Sequence, residues 1–354
     1  VNERHGPSTR AVHAGLPPAA QGEPFLPGPV LASAFHLVGD VDAAPYGYHR
    51  EGSPTCEAYE AALGELEGGE AVLFASGMAA AAAVLLCETR PGDVLVAPAD
   101  GYPGVRSVTE HLAARGVDVR LVPSRDEEVL AALPGASLVW IETPSNPGLA
   151  VLDVARVAEA AHATAARLVV DNTLATPLLQ RPLDEGADVS MSSDSKYMTG
   201  HSDLVLGHVA ARDRDLVARL RHWRTVSGAI AGPFETWLAH RSLATLGVRL
   251  QRQCANAAAL AQALGSRDDV RAVRYPGIGG VLSFELPEAA AAQRFLSACR
   301  LVNEATSFGG VHSTAERRAR WGGDAVPEGF IRFSAGVEDC DDLVADVMQA
   351  LDAG

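Results

Sequence analysis

Of the 29 basic residues in the chain, 28 are arginine and one is lysine, Lys196. Arginine replaces lysine at exposed positions with little loss, but a permanently protonated guanidinium cannot condense with a carbonyl, whereas a lysine amine of lowered pKa can. On the count alone, Lys196 is equally an imine-forming amine or a chance survivor on the surface. Asp171 is the second residue of interest. It follows the apolar run Leu168, Val169, Val170, and a carboxylate buried there needs a cation or an N–H donor beside it. The third is the small-residue turn Ala75, Ser76, Gly77, Met78. Such a turn opens a helix whose free amides and positive dipole end suit a phosphate, although a plain helix cap has the same composition. Asn146, in T-P-S-N-P at 143–147, either offers an amide to the same place or belongs to a turn held by two prolines.

These residues fall at the ends of apolar runs, so the elements that carry them decide whether they meet. Short β-type runs at 71–74, 94–97, 117–122, 137–141 and 167–170 alternate with helical patterns at 79–87, 104–115 and 127–133, and with a helix capped by Asp153 that runs to 166. This alternation predicts βαβ units and a mostly parallel sheet, hence an α/β fold whose ligand lies beyond the carboxyl ends of the strands. A further strand is expected just before S-S-D-S-K-Y at 192–197. A long helical pattern covers 233–264. Beyond it, strands near 270–275, 280–286 and 330–334 and helices near 289–300 and 340–351 predict a smaller α+β domain. Residues 1–45, rich in Pro and Gly, read as an extended arm. The expected division is therefore an N-terminal arm at 1–45, a large domain at 46–232 and a C-terminal small domain with a long linking helix at 233–354.

The 354 residues amount to about two domains, and 47% apolar with 21% charged residues is an ordinary globular composition. No apolar run reaches the ~18 to 20 residues of a membrane span. With 44 acids against 29 bases the net charge is −15, a field that repels polyanions, so neither nucleic acid nor membrane is an expected partner. The first residues show no basic stretch followed by an apolar one, and a cytoplasmic location is expected. Five scattered cysteines without a C-x-x-C pair read as reduced thiols. The sole lysine is followed by Tyr197, which excludes a P-loop, and Phe74 two residues before Ser76 excludes the G-x-S-x-G elbow. His201, Asp203 and His208 lack a ligand spacing, so no metal is expected.

A solitary amine, a carboxylate able to pair with a ring nitrogen and an anion cradle are together the parts that pyridoxal 5′-phosphate requires. The sequence also resembles the pyridoxal-phosphate enzymes of cysteine and methionine metabolism, which comprise cystathionine γ-synthase, cystathionine β- and γ-lyases and methionine γ-lyase. The resemblance is carried by T-R-A-V-H-A-G at 9–15, Y-G-Y-H-R at 46–50 with S-P-T at 53–55, and L-E-G-G at 66–69. It continues through A-S-G-M-A-A at 75–80 to S-K-Y at 195–197 with G-H-S-D at 200–203. It spans nearly the whole chain and implies the pyridoxal-phosphate-dependent transferase fold of type I, the aspartate aminotransferase-like architecture.

Carried over on those matches, Lys196 would hold the coenzyme as an imine and later move protons, Asp171 would pair with the pyridine nitrogen, and Tyr102 would stack on the ring and assist as a proton carrier. Ser76, Gly77, Met78, Ser193 and Ser195 would surround the phosphate, while Tyr48 and Arg50 would reach the phosphate of a neighbouring subunit. Arg332 would grip the substrate α-carboxylate as a planar fork, with Asn146 and Ser307 orienting the substrate and the ring oxygen. Without the resemblance, Tyr102 reads first as a loop residue and Arg332 as a strand-edge ion pair.

The resemblance further implies a small amino-acid substrate and a homo-oligomer, usually a tetramer built as a dimer of dimers. The activity expected is γ-elimination by a cystathionine γ-lyase, giving cysteine, 2-oxobutanoate and ammonia. The alternatives are γ-replacement as in cystathionine γ-synthase, methionine γ-lyase, and a non-catalytic scaffold of the same fold. Several positions depart from the family pattern: His49 stands for Ser, Ser53 for Asn, Pro103 for Gly and Phe308 for Leu. In addition, residues 312–321 replace the usual H-P-A-x-M-T-H. That last stretch is expected near the substrate mouth and bears on substrate identity.

Overall fold

A computed structural model describes residues 4–353; residues 1–3 of the expected arm and the last glycine lie outside the described residues. The expected extended arm instead contains helix α1 (Pro7–His13), followed by irregular chain with a 3-10 turn at Val41–Ala43 and then by α2 (Pro54–Glu67). The large sheet and its helices then run β1 (Glu70–Phe74), α3 (Gly77–Glu88), β2 (Val94–Pro98), α4 (Pro103–Ala113), β3 (Asp118–Val122), α5 (Asp126–Ala132) and β4 (Leu138–Glu142). They continue with α6 (Val154–Ala163), β5 (Arg167–Asp171), α7 (Thr176–Leu179), β6 (Val189–Ser192), β7 (Gly207–Ala211) and α8 (Arg214–Ser227). Side-chain caps start several of these helices: Ser76 accepts from the Ala79 amide, Asp153 from Arg156, and Asp213 from Asp215 and Leu216.

The seven strands lie in the order β1-β7-β6-β5-β4-β2-β3. All neighbours are parallel except β7, which is antiparallel to both β1 and β6. Both faces of the sheet are covered, and the period of two along a strand shows it. Leu138 and Trp140 of β4 pack with Ala81, Leu85 and Leu112, whereas Val139 and Ile141 pack on the other side with Val154, Val157 and Ala161. The mostly parallel α/β sheet expected from the sequence is present.

After α8 come α9 (Pro233–Leu243) and α10 (Leu246–Gly265). The single helical pattern read over 233–264 is thus two helices, parted at Ala244 and Thr245, where the Thr245 amide and hydroxyl turn back to the Ser242 carbonyl. The remaining elements are β8 (Arg271–Arg274), β9 (Val281–Glu285), α11 (Ala289–Ala298), β10 (Asn303–Glu304), β11 (Thr314–Arg317), β12 (Phe330–Ser334) and α12 (Cys340–Asp352). They form a second sheet, β10-β11-β12-β9-β8. Ile331 and Phe333 of β12 pack with Leu260, Phe295 and Val347 against the helices. The alternate residue, Arg332, is thereby turned to the opposite face. No helix among the described residues is long and apolar enough to cross a membrane.

Candidate active site

Beyond the carboxyl ends of β4, β5 and β6 lies a cavity of about 220 Å³. Nine of the thirteen residues singled out in the sequence line it: Gly77, Met78, Tyr102, Asn146, Asp171, Ser193, Lys196, Ser307 and Arg332. The first sheet supplies seven of them from strand ends and helix starts. Arg332 comes from β12 of the second sheet and Ser307 from the loop between β10 and β11, so the cavity sits where the two sheets meet.

Asp171 is the last residue of β5 and is buried, at 7% exposure. Its Oδ1 accepts from the Thr173 amide at 3.1 Å and the Thr173 hydroxyl at 2.6 Å. No protein donor among the described residues meets Oδ2, so one oxygen is left for a cationic N–H in the cavity. Burial pushes the Asp171 carboxyl above the ordinary range, against the opposing pull of Thr173 and Lys196. The same Thr173 hydroxyl accepts from the Ser193 amide at 2.9 Å, which ties Asp171 to the lysine-bearing turn.

Lys196 points its Nζ at Ser307 Oγ, donating at 2.8 Å. Burial, seconded by the nearby Arg332 cation, lowers its pKa to about 8 against the opposing effect of Asp171 and Glu316. An amine so placed is a nucleophile near neutral pH, as imine chemistry requires.

The α3 N-terminus forms part of the cavity wall beside the lysine turn. Ser76 caps the helix through Ala79, and the first amides of α3, at Gly77 and Met78, have no intrahelical partner by geometry. A Cβ on Gly77 would stand 2.6 Å from Ser193 Cβ and 2.7 Å from its Oγ. Only glycine lets this helix approach the lysine turn so closely. The resulting notch of free amides beside the Ser193 hydroxyl is an anion cradle.

On the second sheet, Arg332 is buried and held from three sides. Its Nη1 donates to Asn146 Oδ1 at 2.8 Å, its Nη2 donates to the Ser307 carbonyl at 3.1 Å, and Glu316 forms an ion pair with it. Burial lowers Arg332 to about 10 despite Glu316. Glu316, whose burial alone would raise it, is instead held below the ordinary carboxylate range by Arg332, the Trp321 N–H and Arg318. Arg318 also lines the cavity and donates to Glu316 at 2.8 Å.

The four remaining candidates lie elsewhere. Ser76 Oγ accepts from the Ala79 amide as the α3 cap, and Ser195 Oγ accepts from the Leu206 amide at 3.0 Å and donates to its carbonyl at 3.1 Å. Tyr48 and Arg50 stand apart from the cavity, the guanidinium 5.4 Å above the phenol ring and donating to the Thr225 carbonyl. Tyr102, at 44% exposure, lines the cavity as the residue before α4, with Pro103 at the first helical position. His201 and His208 bond to Thr199 and to buried carboxylates respectively, and no cluster of metal-ligating side chains occurs among the described residues.

Three functional neighbours escape a reading of single residues. Glu142, at the end of β4, is in register with Asp171 and accepts from the Tyr102 amide at 2.9 Å. Burial and the adjacent Asp171 push its carboxyl well up. Its signal was an acid closing an apolar strand, the same signal that marked Asp171. Glu316 and Arg318 lie in the stretch 312–321 that departs from the family pattern.

An open carboxylate oxygen, an amine of lowered pKa and a helix-start cradle fit pyridoxal phosphate in the character of each donor. A model of the Cys/Met metabolism PLP-dependent enzymes matches residues 8–352. A Streptomyces coelicolor protein provisionally named cystathionine γ-lyase is 54% identical, over 98% of this chain and 94% of its own. Cystathionine γ-synthase of Mycobacterium tuberculosis is 37% identical over 98% of this chain and 97% of its own. The solved methionine γ-lyase of Micromonospora echinospora is 38% identical with a TM-score of 0.92, covering 98% of this chain and 99% of that one.

Proposed function

The chain belongs to the Cys/Met metabolism PLP-dependent enzyme family, and from that premise we propose that it is a cystathionine γ-lyase, cleaving cystathionine to cysteine, 2-oxobutanoate and ammonia. The observation that carries the reading is that Ser307 joins the lone amine to the carboxylate clamp: its hydroxyl accepts from Lys196 and its carbonyl from Arg332. The higher identity to the Streptomyces coelicolor protein supports elimination over replacement.

When bound, pyridoxal phosphate supplies an electron sink for negative charge at the substrate α-carbon. Lys196 would be its attachment point and, with its amine free, would be the base for the substrate α-proton. γ-Elimination also needs a proton taken from the β-carbon, and Lys196 holds the one lysine amine in the chain. Asp171 Oδ2 would accept from the ring N–H and keep that proton in place. Arg332, fixed by Asn146, Ser307 and Glu316, presents its remaining N–H groups to the α-carboxylate. Tyr102 would cover the ring and shield its outer face from water, and Gly77, Met78 and Ser193 would receive the phosphate.

Tyr48 and Arg50 complete the phosphate site of a neighbouring subunit in this reading, within a homotetramer made of two dimers. The exposed Phe25, Leu31 and Val38 of the arm support such an assembly. A cytoplasmic setting accords with five free cysteines.

The test offers the holoenzyme cystathionine, homocysteine, methionine, and O-acyl-homoserine with and without a thiol, following keto acid and thioether separately. The proposal expects 2-oxobutanoate from cystathionine without added thiol. Thioether from O-acyl-homoserine and cysteine, with no keto acid from cystathionine, would replace it by γ-replacement.

A further inference from the structure

Behind the lysine turn, on the side away from the cavity, three charged side chains are fully buried together. His208, in β7 and opposite Ser192 of β6, places Nδ1 2.6 Å from Asp194 Oδ1 and Nε2 3.1 Å from Glu67 Oε1. Glu67 is the last residue of α2, and all three residues are at 0% exposure. A carboxyl oxygen faces each ring nitrogen, and with both nitrogens donating the ring is a cation. Consistent with that geometry, the two carboxylates outweigh burial and raise His208 to about 10.

The groups facing this cluster are few. Tyr59 of α2 donates its hydroxyl to Asp194 Oδ2 at 3.1 Å. Beyond Tyr59 lie the His240 ring of α9, 6.0 Å away, and the Arg249 cation of α10. Arg249 donates to the carbonyls of Tyr197 at 2.7 Å and Met198 at 3.3 Å.

Asp194 is a member of the turn that carries Ser193 and Lys196 into the cavity. On the cavity side this turn is tied by the Ser193 amide to Thr173, and through Thr173 to Asp171. On the reverse side it is held by the Asp194 side chain. We propose that His208 is a positioning residue for the coenzyme: by donating to both Asp194 and Glu67 it pins the 193–196 turn to α2 and β7, so that Ser193 and Lys196 keep their placement against the α3 cradle and Asp171. Neither His208 nor Glu67 touches the cavity, and the inference holds whichever γ-substituted amino acid is turned over.

The experiment dilutes holoenzyme and its Tyr59→Phe, Asp194→Asn and His208→Gln variants, measures pyridoxal phosphate dissociation by absorbance, and records thermal midpoints beside it. Positioning predicts roughly tenfold to hundredfold weaker retention in Asp194→Asn and His208→Gln, the range found when an outer support of a metal ligand is removed. It predicts roughly threefold weakening in Tyr59→Phe, which loses one hydroxyl and keeps both ion pairs. The pH at which the bound coenzyme's absorbance titrates shifts in the same order. If His208→Gln fails to fold, Tyr59→Phe and Asp194→Asn decide. Wild-type retention and an unmoved spectral titration in folded variants whose thermal midpoints fall would make the cluster purely structural and overturn the proposal.

Discussion

Lys196 Nζ donates to Ser307 Oγ at 2.8 Å, and the two residues are 111 positions apart in the chain. The contact joins the turn after β6 to the loop before β11, so the amine is placed only when both sheets are in position. Ser307 adopts φ +77°, uncommon for a non-glycine residue. In that conformation its hydroxyl meets the amine while its carbonyl accepts from Arg332.

Replacing Ser307 by Gly separates these roles. Glycine accepts the positive φ without cost and keeps the carbonyl, so folding stability is expected to hold or rise slightly. Loss of the hydroxyl is expected to lower kcat/KM roughly tenfold, the weight of one hydrogen bond to a charged group. Steady-state kinetics beside a thermal melt check both; unchanged kcat/KM would remove Ser307 from the site's work.

The depressed Lys196 pKa sets a pH dependence. In the proposed function the neutral amine is the group that attacks the coenzyme, so the rate at which coenzyme-free protein captures pyridoxal phosphate should climb through about pH 8 and level above it. For stability the sign is the same. Between about 8 and the ordinary lysine value of 10.5 the unfolded chain binds the proton that folded Lys196 has lost, so the Lys196 contribution rises with pH across that window. Stopped-flow absorbance across this range tests the first claim, and a capture midpoint near 10.5 would contradict it.

Gly77→Ala places a methyl 2.6 Å from Ser193 Cβ. Either the α3 start or the lysine turn must give way, with overpacking costs of about 1 to 3 kcal/mol. The phosphate cradle opens, and retention of pyridoxal phosphate is expected to fall at least tenfold. Dissociation measured by ultrafiltration shows whether it does.

Arg332→Lys keeps the charge and loses the fork. With Asn146, Ser307 and Glu316 all bound to the guanidinium, an ammonium serves fewer partners and grips the α-carboxylate at one point. A fall in kcat/KM on the order of a hundredfold is expected, as for the loss of two charge-assisted bonds. Glu316→Gln, which leaves the fork intact, should raise KM more than it lowers kcat. Equal kinetics for Arg332→Lys and the parent would remove the clamp from the account.

Much of this arrangement is legible in the sequence. The β-α alternation from 71 to 170 gave the parallel sheet, and strand ends pointed to Asp171 and Asn146 because ligands gather there. The solitary lysine stood out by composition alone. What stayed hidden depends on partners distant in sequence. Strand β7, with Gly207, His208 and two alanines, lacks the apolar run that marks a strand, and its antiparallel pairing comes from its neighbours. Glu316 and Arg318 look like surface charges until the second sheet folds them around Arg332. Ser195, beside the lysine, resembles a phosphate ligand, yet a single rotamer sends its hydroxyl to Leu206. His208, weighed in the sequence as a metal ligand, is fully engaged by two carboxylates.

The central claim is that the Lys196 amine bonds covalently to the coenzyme. Borohydride reduction of the holoenzyme, followed by proteolysis and mass measurement, should find the peptide containing residue 196 heavier by one reduced pyridoxyl phosphate, and Lys196→Ala should show neither the adduct nor turnover. An unmodified peptide 196 from fully active holoenzyme would contradict the account.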